Sequence, residues 1–211
     1  MTKQAQRYVI AGMAGVIVLA VGVALMAAET ATEAIKTTLK QVFVILNDEG
    51  LQMPDRAEIR RQQLEKVIGN RLAYDEMAKR SLGAQWKRLN DEEKEEFVRL
   101  FSQFFRDTFT GRLDQHSDEE VEFLQEKLEG LYAEVSTRLK GSKVDMAVDY
   151  RLLHRAGDWH VYDIIVDDIS LIHSYREQFT TIIRKFSYAE LVAKLRQKSG
   201  ELKPFVKTAN P

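Results

Sequence analysis

Apolar positions recur at helical spacing in the first half of the chain and alternate through its middle. After "ETATEA", the residues Ile35, Leu39, Val42, Phe43 and Leu46 form the stripe of an amphipathic helix, which "NDEG" stops. Asp55 follows Pro54, and Glu58 stands three residues on. That capping-box spacing predicts a second helix through Ile59, Leu64, Val67 and Ile68 to Gly69. A shorter helix is predicted from about Tyr74 to Leu82, closed by Gly83. Asn90 with Glu93 repeats the capping pattern and opens a long helix to about Leu113.

From Val121 the period changes. "VDMAVDYRLL" places Val144, Met146, Val148, Tyr150 and Leu152 on one face and Asp145, Asp149 and Arg151 on the other, a half-buried strand. "WHVYDIIV" is apolar on both faces and belongs inside a sheet. "LYAEVSTRL" alternates too, with Lys140-Gly141-Ser142 as its turn to the next strand. "EEVEFLQEKLE" has helix-favouring residue types, but its place before three strands makes it a fourth. Tyr175, Phe179, Ile182, Ile183 and Phe186 then form a helical stripe. Ser174 with Glu177, and Ser187 with Glu190, have capping-box spacing for the last two helices. Helices first, an antiparallel sheet next and helices last predict an α+β domain, with no internal repeat and a frayed tail over 199–211.

Composition narrows this only a little. The 211 residues are 45% hydrophobic and 30% charged, enough for one domain with a sizeable core. The formal charge is −1, and it becomes −3 without Lys3 and Arg7, so nothing basic enough for nucleic acid is present. With no cysteine, disulfide scaffolds and thiol chemistry are excluded.

The first 28 residues are an export signal or an anchor. "MTKQAQR" carries two positive charges, and Tyr8 to Ala28 runs without a charge, strong polar residue or proline. As an uncleaved helix of about 21 residues it would span roughly 30 Å, enough to cross a bilayer. Cleaved or retained, its positive end stays inside and the domain from residue 29 is exported.

The search for reaction chemistry turns up one carboxylate. No phosphate loop, zinc helix, nucleophile elbow or dinucleotide fingerprint occurs. His116, His154, His160 and His173 are scattered, and His160 and Asp163 cannot share the face of a regular strand, so no metal or catalytic centre is expected. Strict alternation puts Asp163 beside Trp159, Val161 and Ile165. A buried carboxylate there is either a general base or an acceptor for backbone N–H groups or Arg176. Asp167 and Asp168 read as turn residues. Five of the ten phenylalanines, Phe97, Phe101, Phe104, Phe105 and Phe109, crowd one face of the long helix, as plain core or as the wall of a ligand cavity.

"GDWHVYDIIVDDISLIHSYREQF" resembles the signature of the MlaC family, also called toluene-tolerance proteins. The matching positions are Trp159, Tyr162, Asp163, Ser170, Leu171, Tyr175, Arg176, Gln178 and Phe179. "LGAQWKRLNDEEKEEFVRLFSQFF" and "VDYRLL" are similar to the family as well, and the resemblance covers most of residues 31 to 198. It implies a helical layer on a curved, mostly antiparallel four-stranded sheet with C-terminal helices, enclosing an apolar cavity. It also implies a periplasmic phospholipid carrier, auxiliary to an inner-membrane ABC transporter with an MCE-domain subunit and to an outer-membrane lipoprotein complex. No cofactor and no bond-making are implied, and lipid is the cargo. On this reading Phe101, Phe104, Phe105, Val148, Tyr150, Tyr162, Tyr175, Phe179 and Ile182 surround the lipid tails, with Asp163 and Arg176 at the rim or in structural roles. The headgroup can stay in water, so selectivity is expected mainly for chains. The alternatives are a small cavity enzyme with Asp163 as base and a membrane-tethered interaction domain.

Overall fold

Three two-residue turns fold the middle of the chain into hairpins. Gly130 (φ 59°) opens the first, Ala156 and Gly157 (φ 53° and 85°) form the second, and Asp167 and Asp168 (φ 46° and 66°) the third. Left-handed central residues match the twist of the flanking strands, which is why these turns are tight. A computed structural model describes residues 29–113, 120–142 and 144–197, with side chains to 108 in the first stretch. The leader 1–28, the Phe109 side chain, His116 and the tail lie outside the described residues.

The strands are β1 (Glu120–Glu129), β2 (Tyr132–Lys140), β3 (Asp145–Arg155), β4 (Asp158–Val166) and β5 (Ile169–Ser170), antiparallel in the order β1-β2-β3-β4-β5. "EEVEFLQEKLE" is therefore a strand, against its helical composition, because pairing with β2 outweighs propensity. The sheet has five strands rather than the expected four. Two residues are too short for alternation to reveal, and β5 exists only because the Asp167-Asp168 turn returns the chain to the edge of β4.

Among the described residues there are six α-helices: α1 (Ala31–Leu46), α2 (Ala57–Arg71), α3 (Tyr74–Leu82), α4 (Asp91–Leu113), α5 (Leu171–Lys185) and α6 (Tyr188–Arg196). Asn90 and Glu93 form the expected reciprocal box at α4, each backbone N–H donating to the other's side chain at 2.9 Å. Ser187 accepts from the Glu190 N–H at α6 as expected. Two helix starts differ. Pro54 begins a 3-10 turn over Pro54–Arg56, and Asp55 makes no capping bond, so α2 starts at Ala57 and the Glu58 carboxylate binds Arg61 and Gln62 instead. Ser170, not Ser174, caps α5 by accepting from the His173 N–H at 2.9 Å, and the Ser174 hydroxyl donates back to the Ser170 carbonyl.

Helix α1 packs on β1, β2 and β4, α2, α3 and α5 pack on β4, and α4 and α6 pack mainly on the other helices. The sheet holds the start of α1 in two ways. Glu126 of β1 accepts from the Thr32 N–H and hydroxyl, and the Trp159 indole donates to the Glu29 carbonyl at 2.9 Å. The segment before α3 also runs along β4, with the Ala73 N–H donating to the Val161 carbonyl at 2.8 Å.

Candidate functional site

Between α1, α2 and the sheet lies a cleft of about 90 Å³. Ile35, Leu39 and Val42 reach it from one stripe of α1, Ile68 and Leu72 come from the end of α2, and Tyr150, Val161 and Ile164 form its floor. Val161 and Ile164 are three residues apart, an odd step that a regular strand would send to opposite faces. A β-bulge at Tyr162 resolves this: Leu152 pairs with Val161 and Arg151 with Asp163, so the phase of β4 shifts by one. Thr38 and Arg71 are the only polar residues in the walls besides the tyrosine. Burial pushes the Tyr150 hydroxyl up to about 12, so it stays neutral at any ordinary pH. A nearly wholly apolar cleft, whose one cation Arg71 is paired with Asp158, is suited to holding hydrocarbon.

Of the nine residues expected around lipid tails, Tyr150 alone lines this cleft. Phe101, Phe104, Phe105, Tyr175 and Phe179 pack instead on one another between α4 and α5, with Phe104 and Tyr175 edge to face at 5.4 Å and Phe101 and Phe105 at 5.9 Å. Phe97 joins the same stack against Phe179. These rings are buried core, in contact on all sides. Val148 is buried on the same face of β3 as Tyr150, and Ile182 is half-buried on α5. Tyr162, displaced by the bulge, stacks under the Arg80 guanidinium at 4.1 Å. The cleft residues that patterning missed are Ile35, Leu39, Val42, Ile68, Leu72, Val161 and Ile164. Ile35, Leu39, Val42 and Ile68 lie on the helical stripes, but stripes look alike whether they meet core or cavity, and Leu72 lies past the end of its stripe.

Asp163 is buried on the face opposite Val161, with Ile165, because of the same bulge. Its Oδ2 accepts from the Ser170 hydroxyl at 2.7 Å, its Oδ1 from the Ile172 N–H at 3.2 Å, and Arg151 lies 3.7 Å away. Both oxygens thus bind the start of α5, where a carboxylate also meets the positive end of the helix dipole. Arg176 is not its partner: it is exposed and its guanidinium lies over Gly83, where a Cβ would come within 2.6 Å of Nε. Gly83 has φ 55°, a backbone conformation that favours glycine, and any side chain there would also have to displace Arg176. Asp163→Asn should lower folding stability by about 1–2 kcal/mol in urea titrations. Ligand binding by the folded fraction should be unchanged, and a selective loss of binding would return Asp163 to the site.

The family profile described as MlaC protein matches residues 36–197, most of the chain and all the elements just described except the start of α1. The chain belongs to the MlaC family. Among curated MlaC proteins, it is 20% identical over 126 residues to the intermembrane phospholipid transport system binding protein MlaC of Haemophilus influenzae. That match covers 57% of this chain and 59% of the relative's length. The MlaC-like fold is shared with a phospholipid-binding protein from Ralstonia solanacearum, solved in complex with a phospholipid. Identity there is 21% and the TM-score 0.70, over 83% of this chain and 98% of the other.

Proposed function

We propose that this protein is a phospholipid carrier that holds acyl chains between the α1–α2 pair and the sheet. The observation that supports it most is the largely apolar cleft at that position, in a fold whose Ralstonia relative was solved with a phospholipid. At about 0.8 kcal/mol per methylene, two ordinary acyl chains expose on the order of 20 kcal/mol of apolar surface to water. A cavity with comparable apolar contact makes transfer between membranes nearly isoenergetic, so no bond need be broken.

The cleft as it stands is well below the several hundred Å³ typical of ligand sites. Loading therefore parts α1 and α2 from the sheet. Val148, next to Tyr150 on β3, is the first of the remaining expected residues that such parting exposes to the tails, while the aromatic cluster stays as the fixed wall of the domain. The work of opening is offset by the chains that fill the space.

The domain over 29–198 acts in the periplasm, delivered there by the 1–28 segment, as the family's periplasmic setting supports. Its partners on this reading are the inner-membrane MCE-type ABC transporter and an outer-membrane lipoprotein complex, consistent with the transport-system name of the Haemophilus relative. Organic extraction of protein purified from cells, followed by mass spectrometry, should find co-purifying phospholipid, and emptied protein should take it up from vesicles. Absence of both would end the carrier reading. N-terminal sequencing of the exported form distinguishes a cleaved signal from a retained anchor.

A further inference from the structure

The same helix pair carries a second space, of mixed polarity. A groove of about 490 Å³ runs between α1 and α2, with Gln41, Gln63, Lys66 and Asn70 on its rim and the apolar Ile45 and Val67 in its walls. It contains two cations, Lys66 and Arg71, and no carboxylate, although acidic residues outnumber basic ones in the chain by 32 to 31. An anion there gains attraction mainly from Lys66, because the charge of Arg71 is already balanced by Asp158, and it meets no carboxylate in the walls. Thr38 and Arg71 belong to both spaces, the groove and the more apolar cleft.

Arg71 is held where the two meet. Its side chain is 13% exposed, with Nε donating to Thr38 Oγ1 at 2.9 Å and Nη1 to Asp158 Oδ1 at 2.8 Å and to the Trp159 carbonyl at 2.5 Å. Nη2 makes no hydrogen bond among the described residues, so a fixed guanidinium keeps two N–H donors unused. Preorganised guanidinium donors beside an ammonium suit a phosphate.

We propose that this groove binds the phosphate of the carried lipid, Arg71 Nη2 and Lys66 Nζ donating to its oxygens while the chains pass beneath the Arg71–Thr38 bond into the cleft. The inference rests on the cleft holding acyl chains. A cation-bearing space with a polar rim, joined to a more apolar one through a shared arginine, has the polarity pattern of a phospholipid. Whatever group lies beyond the phosphate stays in water. Selectivity then includes the phosphate as well as the chains: a diacylglycerol of the same chain length is discriminated against.

The test compares uptake of fluorescent phosphatidylglycerol and fluorescent diacylglycerol, with matched chains, from phosphatidylcholine vesicles. Wild-type protein should prefer the phospholipid by about tenfold, and Lys66→Glu, at an exposed position, should lower phospholipid uptake about tenfold more than diacylglycerol uptake. Arg71→Lys, which keeps the charge but loses the spare fork, should act in the same direction. Thermal melting of each variant separates this from unfolding. Titration with inorganic phosphate supports the assignment if phosphate competes with the phospholipid. Phosphate binding that Lys66→Glu abolishes while phospholipid uptake is untouched makes the groove a free-anion site and overturns it. Equal effects of Lys66→Glu on both lipids, or none, overturn it as well. If wild-type protein takes up diacylglycerol as readily as phospholipid, the headgroup site alone fails; if it takes up neither, the carrier reading fails too.

Discussion

Leu39→Asp is expected to reduce phospholipid loading on the order of a hundredfold while leaving the empty protein folded. Leu39 is half-buried on α1 and lines the cleft, so in the empty protein a carboxylate at this position reaches water at the edge. With acyl chains in place that route is closed, and the charge faces hydrocarbon without a partner. The penalty therefore falls mainly on the loaded state, about 3 kcal/mol or more on the scale of burying an uncompensated polar group. Lipid-to-protein ratio after vesicle incubation, read beside the melting temperature, checks both halves. Full loading of the variant would place the tails somewhere other than this cleft.

Phe105→Asp should behave in the opposite way, abolishing folding itself. Phe105 is 1% exposed and stands among Phe101, Tyr74 and Tyr175, with ring centroids 5.9 to 6.3 Å away. Removing a buried phenyl ring costs about 3–5 kcal/mol, and an unpaired carboxylate in that cluster adds several more. Against a total stability of about 5–15 kcal/mol, little or none remains. The measurement is far-UV circular dichroism with urea titration, and Phe105→Leu, which keeps most of the volume, is the control that should stay folded. If Phe105→Asp folds with near wild-type stability and only loses lipid, the aromatic cluster is a cavity wall rather than core. The two substitutions separate apolar surface that holds the domain together from apolar surface kept for a ligand.

Such surfaces cannot be told apart in one dimension. The Phe97 to Phe105 run and the Ile35 to Val42 run have the same helical spacing. What differs is the opposing surface. Tyr175 and Phe179 of α5 fill the space over the α4 rings, whereas α1 and α2 leave a gap above Tyr150, Val161 and Ile164. The position of Asp163 was misread for a related reason. Alternation is a statement about a regular strand, and the extra residue at Tyr162 inverts everything after it.

Much of the local physics is legible in the sequence, although the caps of α2 and α5 are not where spacing puts them. The Asn90–Glu93 box, the bounds of α3 from Tyr74 to Gly83, the alternation of β2 and β3, and the Asp167-Asp168 turn depend on residues within a few positions of one another. From these follow the α+β order of elements, and the ordered residues from Trp159 to Phe179 were enough to indicate the family. Tertiary structure alone decided the bulge in β4, the return of β5 to its edge, the carboxylate of Asp163 at the head of α5, and the gap under α1 and α2. It also placed Arg71 of α2 against Thr38 of α1 and Asp158 of β4, at the border of the cleft and the groove. Each of these depends on which surfaces meet across the fold, and a cleft is defined by a contact that is not made. Hydrophobic spacing specifies that a face seeks cover; only the packed chain determines whether protein or ligand provides it.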